Sequence, residues 1–128
     1  MSNNLTETNR AIVLDFVDLF YRQRRVRDAF ERHVAEDYTQ HNPNIPDGRE
    51  IAITMLAPKF GNPGAIFDVK RVLVDGDLAC VHLHGAPAPG TLGAAVADLF
   101  RLANGKIVEH WDILQPVPEK ATNPHPMF

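Results

Sequence analysis

Two acids and an imidazole late in the chain have the types and spacing for acid–base chemistry. They are Asp98 in Asp98-Leu99-Phe100-Arg101, and His110 with Asp112 in His110-Trp111-Asp112. His110 and Asp112 are two apart, so on a strand they share a face. The apolar-rich runs Ala94 to Leu102 and Ile107 to Leu114 flank Ala103-Asn104-Gly105-Lys106, where Gly105 takes a positive φ without steric cost, and together they read as a β-hairpin. A three-residue loop with Gly105 as a bulge residue sets Leu102 against Lys106. Asp98 then falls across from His110 and diagonal to Asp112, on the face of Val96, Phe100, Val108 and Leu114. A two-residue Asn-Gly turn would instead set Asp98 opposite Trp111. Ionisable groups on an apolar face pair or do chemistry. The chemistry expected here is proton abstraction, with Asp112 as general base tuned by His110, and with Asp98, if it carries its proton, donating to a developing enolate. The structural alternative is a hydrogen-bonded pair at a strand edge.

The rest of the chain must position that hairpin. Asn4 or Thr6 is placed to cap a helix running to about Arg22, with Ile12, Val13, Phe16, Val17, Leu19 and Phe20 at helical spacing. A second, short helix from Val26 to about Val34 buries Phe30 and Val34. It leads to Tyr38-Thr39-Gln40-His41-Asn42-Pro43, a polar segment that Pro43 pushes extended. Asp47 with Glu50 predicts the cap of a third helix, Arg49 to Ala57, burying Ile51, Met55 and Ile53 and stopped by Pro58. Then the period becomes two. Ala65 to Val74 and Leu78 to His84 form a hairpin about Asp75-Gly76, with Phe67, Val69, Val81 and Leu83 on one side and His82 and His84 on the other. His82 and His84 could serve a metal with an acid as third ligand, but that placement favours solvent or an interface, and no metal is assigned. Leu99, Ile107, Trp111 and Ile113 are expected on the outer face, relieved only by Arg101 and Glu109, which suggests a subunit interface. The tail 115–128 holds four prolines and can be neither helix nor central strand.

Length and composition narrow the classes of function. The 128 residues fit one domain, 1–128. Lys plus Arg at 13 against Asp plus Glu at 16 gives a net charge of −3, which offers no electrostatic argument for nucleic acid or an anionic membrane. Cys80 is the single cysteine, so no intramolecular disulfide forms and a reducing cytoplasm is the expected setting. The opening MSNNLTETNR lacks a basic region followed by an apolar run, and no segment approaches the roughly 20 apolar residues of a membrane span.

Three helices followed by a four-stranded antiparallel meander predict an α+β fold in which a curled sheet is closed by the helices into a cone with an internal pocket. Here the chain resembles the SnoaL-like polyketide cyclases, within the nuclear-transport-factor-2-like cone fold that also includes ketosteroid isomerase and scytalone dehydratase. The resemblance spans nearly the whole chain. Its most specific stretches are YTQHNP (38–43), DGDLACVHLHG (75–85) and DLFRLANGKIVEHWDILQPVP (98–118) with Met127-Phe128, which look like the SnoaL-like aldol condensation branch. By resemblance to the cyclases, Asp112 is the general base and His110 its neighbour. By resemblance to the isomerase, Asp98 donates to the oxyanion. Asn42 stands where the isomerase has its general-base Asp, the isomerase's helix tyrosine has no match near Phe16, and the cyclases have a histidine where Asp98 stands.

The expected function is abstraction of a proton next to a carbonyl in a small apolar molecule, as in an aldol-type cyclisation or an isomerisation. Asp112, Asp98 and His110 would be catalytic, and Tyr38, Gln40, His41, Asn42, Phe100 and Leu114 would hold the substrate. That chemistry calls for no cofactor, and a homodimer is expected. The competing class is a ligand-binding or assembly module without turnover, since this fold hosts unrelated functions. Dehydration or epoxide hydrolysis would use the same residues.

Overall fold

A curved five-stranded sheet wraps around the N-terminal helices in the computed structural model, which describes residues 2–128. The first helix, α1 (Ser2–Val17), continues into a π-helical turn, Asp18–Arg22. Then come α2 (Val26–His33), β1 (Val34–Gln40), α3 (Arg49–Phe60), β2 (Ile66–Asp75), β3 (Leu78–Ala86), β4 (Ala94–Ala103) and β5 (Lys106–Pro116). The strands lie in the order β1-β5-β4-β3-β2, antiparallel except for the parallel pair β1 and β5. The sheet therefore has five strands where four were expected. Residues 34–40 bury little beyond Val34 and Tyr38, so their sequence carries no strong strand period, and they become an edge strand only because β5 arrives beside them.

Several boundaries move for definable reasons. The first helix starts before Asn4 and Thr6, so neither caps it. Thr6 Oγ1 instead accepts from Gly76 N and Asn9 Nδ2 donates to Gly76 O, both at 2.9 Å, clamping the β2–β3 turn. Gly48 (φ 105°) precedes α3, and Asp47, expected as its cap, accepts from Gln40 N at 2.7 Å. The helix runs through Pro58 to Phe60, because Phe60 stacks on Phe67 at 3.8 Å and on Phe20 at 4.2 Å between ring centroids. Its buried residues are Ala52, Ile53 and Phe60, whereas Ile51 is exposed and Met55 only half-buried. The core is rich in aromatic rings: Phe16 packs against Phe20, Phe30 and Phe100 at 5.2–5.7 Å. Phe67, Val69, Val81 and Leu83 face this core as expected.

The β4–β5 hairpin is built differently from expectation. Asn104 (φ 52°) and Gly105 (φ 78°) both adopt positive φ, which makes a two-residue turn with Ala103 opposite Lys106 and Leu102 opposite Ile107. One extra residue, Val108, then bulges from β5, so that Arg101 pairs with Glu109, Phe100 with His110 and Asp98 with Asp112. Both registers read from the sequence are thus corrected: Asp98 lies opposite neither His110 nor Trp111. The bulge also turns Ile107 inward, into the core rather than onto the outer face. Beyond β5 the tail is tied down where Val117 N donates to Gly93 O at 2.9 Å and Phe128 stacks on His84 at 4.5 Å.

Candidate active site

The helices and the inner face of the sheet enclose a cavity of about 270 Å³ with a predominantly apolar wall. Phe16, Phe20, Phe30, Phe60, Phe67 and Leu114 are among the residues that line it. Asp98, His110 and Asp112 all line it. An odd-numbered displacement would have scattered them over both faces, but the two-residue turn plus one bulged residue restores their common side.

Asp98 is buried and fully hydrogen-bonded. Tyr21 Oη donates to its Oδ2 at 2.6 Å, and His110 Nε2 meets its Oδ1 at 2.9 Å. His110 Nδ1 lies 2.7 Å from Gln40 Oε1. Gln40 is itself oriented, because its Oε1 accepts from Asn42 N at 3.0 Å and its Nε2 lies 3.1 Å from Tyr38 Oη. Gln40 therefore presents an acceptor to His110, which assigns a proton to Nδ1. A single proton is then shared between His110 Nε2 and Asp98, and it can reside on either without changing the charge of the pair. Burial, reinforced by the Asp98 carboxylate, pushes the Tyr21 hydroxyl well above its ordinary value, so Tyr21 remains a donor. Burial likewise pushes Tyr38 up to about 12.

Asp112 sits on the same rung as Asp98 but in a different setting. Asn42 Nδ2 donates to its Oδ2 at 2.7 Å, and no protein group bonds the other oxygen among the described residues. One carboxylate is thus locked in a network while its neighbour keeps an acceptor free at the cavity wall. Buried polar side-chain atoms are all partnered among the described residues, so this free oxygen is partly accessible rather than an orphan. Asp98, His110 and Asp112 offer ligand atoms within 4.8 Å of one another, a spacing that would suit a cation. His110, however, has both ring nitrogens engaged and would have to release Asp98 to coordinate one.

Tyr38, Gln40, Asn42, Phe100 and Leu114 line the cavity. His41 does not. Its ring stacks on Trp111 at 4.8 Å and its Nε2 lies 2.6 Å from Glu109 Oε2, on the opposite side of β5 from His110. Tyr21 was missed by sequence reasoning, since it directly follows the apolar positions of α1 and only the π-helical turn swings it toward β4. Its one signal was a hydroxyl at the end of an apolar run. Lys59 was missed as well, as a lysine near a helix end is ordinarily solvated.

Residues 13–110, well over half of the chain, match the SnoaL-like domain. The chain belongs to that family. The match includes Asp98 and His110 and stops just before Asp112. No curated protein matches this SnoaL-like chain. Solved structures similar to it share the nuclear-transport-factor-2-like fold. One is a nuclear-transport-factor-2-like protein of unknown function from Mesorhizobium loti, 23% identical over 86% of this chain and 93% of that one, with a TM-score of 0.71. A Kribbella flavida protein assigned, without proof of activity, as a ketosteroid isomerase is 21% identical over 92% and 85%, with a TM-score of 0.72. A Jannaschia protein assigned on the same footing as a SnoaL-like polyketide cyclase is 23% identical over 86% and 87%, with a TM-score of 0.64. Among the described residues of the SnoaL-like chain, no helix is long and apolar enough to cross a membrane.

Proposed function

We propose that this SnoaL-like protein is an enzyme that removes a proton from the carbon next to a carbonyl in a small, largely apolar molecule, in an aldol-type cyclisation or an isomerisation. The observation that carries the reading is the rung on which Asp112, with one oxygen free, stands beside the locked Asp98–His110 pair on the wall of an apolar cavity. Asp112 takes the α-proton. The electron pair of the broken C–H bond moves to the carbonyl oxygen, and the proton held between His110 and Asp98 leaves that hydrogen bond to neutralise the charge that develops there. Tyr21 holds Asp98 in place, and the aromatic wall excludes the water that would otherwise solvate the enolate.

The test is α-proton exchange with deuterated solvent over a panel of enolisable ketones and β-dicarbonyl compounds. Asp112→Asn preserves shape while removing the proton acceptor. Wild type should exchange a bound compound roughly 10²–10⁴ times faster than this variant. Equal rates on compounds shown to bind both proteins would refute the general base.

We also propose that the protein works in a reducing cytoplasm as a homodimer formed on the outer sheet face, where the half-buried Leu99 and Trp111 and the 66% exposed Ile113 form an apolar row. Sedimentation as a monomer at micromolar concentration would oppose the dimer.

A further inference from the structure

Lys59 has a position that the acid–base reading leaves unused. It is exposed on the last turn of α3 yet lines the cavity, and it pairs with no carboxylate among the described residues. The other charged or ionisable members of the lining, apart from the tyrosines, are Asp98, His110 and Asp112. The two ends of the cavity thus differ in sign, with acids inside and an unpaired ammonium toward water.

Strand register sets a scale for the length of that cavity wall. Lys59 adjoins Phe60, which stacks on Phe67; Phe67 pairs with Gly85, and Gly85 pairs with Ala94. Lys59 shares the cavity wall with Gly85 and Ala94, and Ala94 is four residues from the Asp98–Asp112 rung along β4. At about 3.3 Å per residue the Ala94 rung lies about 13 Å from the Asp98–Asp112 rung. Exposure shows which end is open: Ile107 is buried at 1%, whereas Leu114, two residues past Asp112, is 55% exposed. A lysine at such a rim lays its stem along the apolar wall and keeps its charge in water.

We infer that the substrate is a chain-shaped keto acid whose carboxylate rests on Lys59 at the mouth and whose carbonyl reaches the Asp98–Asp112 rung. The inference rests on the proposed acid–base function and names its substrate class. Charge sets the direction of entry, because a carboxylate is repelled by Asp112 and drawn to Lys59, while the neutral carbonyl end can go deep. The methylenes between them fill the aromatic middle.

The probes are straight-chain acids of eight, ten and twelve carbons with a ketone on the penultimate carbon, each compared with its methyl ester by calorimetric titration. Wild type should bind the ten-carbon acid roughly twofold to fivefold more tightly than its ester, the scale of one solvent-exposed ion pair. That preference should vanish in Lys59→Gln, reverse in Lys59→Glu, survive in Lys59→Arg and shrink with added salt. A preference that persists in Lys59→Gln, an ester that binds wild type as well as the acid, or failure of every chain length to bind would overturn the inference. Binding requires no turnover, so the two readings fail separately. If Asp112→Asn exchanges as fast as wild type while the Lys59-dependent preference remains, only the general base is lost.

Discussion

His110 and His41 each meet a carboxylate, on opposite faces of the same strand, and only one of the two pairs is placed to do chemistry. His110 lies 2.9 Å from Asp98 with both side chains 13% exposed. His41 lies 2.6 Å from Glu109 with side chains 41% and 19% exposed. Glu109 and His110 are sequence neighbours, so strand alternation alone sends them to different sides. Outside, the His41 contact and then Arg101 hold the Glu109 carboxyl below its usual range, and His41 rests on Trp111. Inside, Tyr21 and Gln40 occupy the remaining positions of the pair, and Asp112 stands across the rung with an oxygen to spare. The paired groups, an imidazole and a carboxylate, are the same in both places. What differs is the water-poor cavity and the third acid, and these turn an ion-pair brace into a proton-holding device.

The largest break in this contrast should come from Asp112→Asn, which should lower α-proton exchange by roughly 10²–10⁴-fold, whereas Glu109→Gln should leave it within about a factor of two. Measuring both variants on one ketone tests whether the inner face alone is functional. Next in size is Asp98→Ala, which strands Tyr21 Oη and His110 Nε2 and should cost about 1–3 kcal/mol in urea unfolding. Asp98→Asn, which still bonds both neighbours, should cost less, and Glu109→Ala less again because water replaces its partners.

A smaller effect should appear in alkali. Tyr38 titrates near 10 when unfolded and near 12 when folded, so the folded state holds its proton more tightly. Its contribution is complete below pH 10 and is lost as pH rises toward 12. Urea midpoints should fall through that window and fall less in Tyr38→Phe. The smallest effect is the mirror image on the outer face. Glu109 is lowered from 4.5, so its contribution is present above that value and disappears as acid protonates it. Glu109→Gln should flatten the acid limb of the stability profile slightly, and a limb unchanged from wild type would remove the brace from the comparison.

Much of the fold was legible because periodicity reports burial. The apolar spacing of α1, the two hairpins and the inward set Phe67, Val69, Val81 and Leu83 all follow from it. Strand β1 was illegible for the same reason, since an edge strand with two buried residues has almost no period to report. Tyr21 and His41 illustrate both limits at the site. A π-helical turn re-aims the first into the cavity, and the crossing of β1 beside β5 sends the second outside.

By itself the sequence determined that His110 and Asp112 share one side of their strand and that Asp98 and Phe100 share one side of theirs, because side chains alternate along any strand. It determined a turn within Ala103-Asn104-Gly105-Lys106, because Gly105 takes a positive φ without steric cost, but not that the turn has two residues with Asn104 also at positive φ. Only the tertiary structure decided which rungs face each other. One bulged residue at Val108 shifts the pairing without changing the local pattern, and it sets Asp98 against Asp112 and brings Ile107 into the core. The partners of that rung, Tyr21, Gln40 and Asn42, come from segments more than 50 residues away in the chain, and a hydrogen bond across such a distance leaves no periodic trace in either segment.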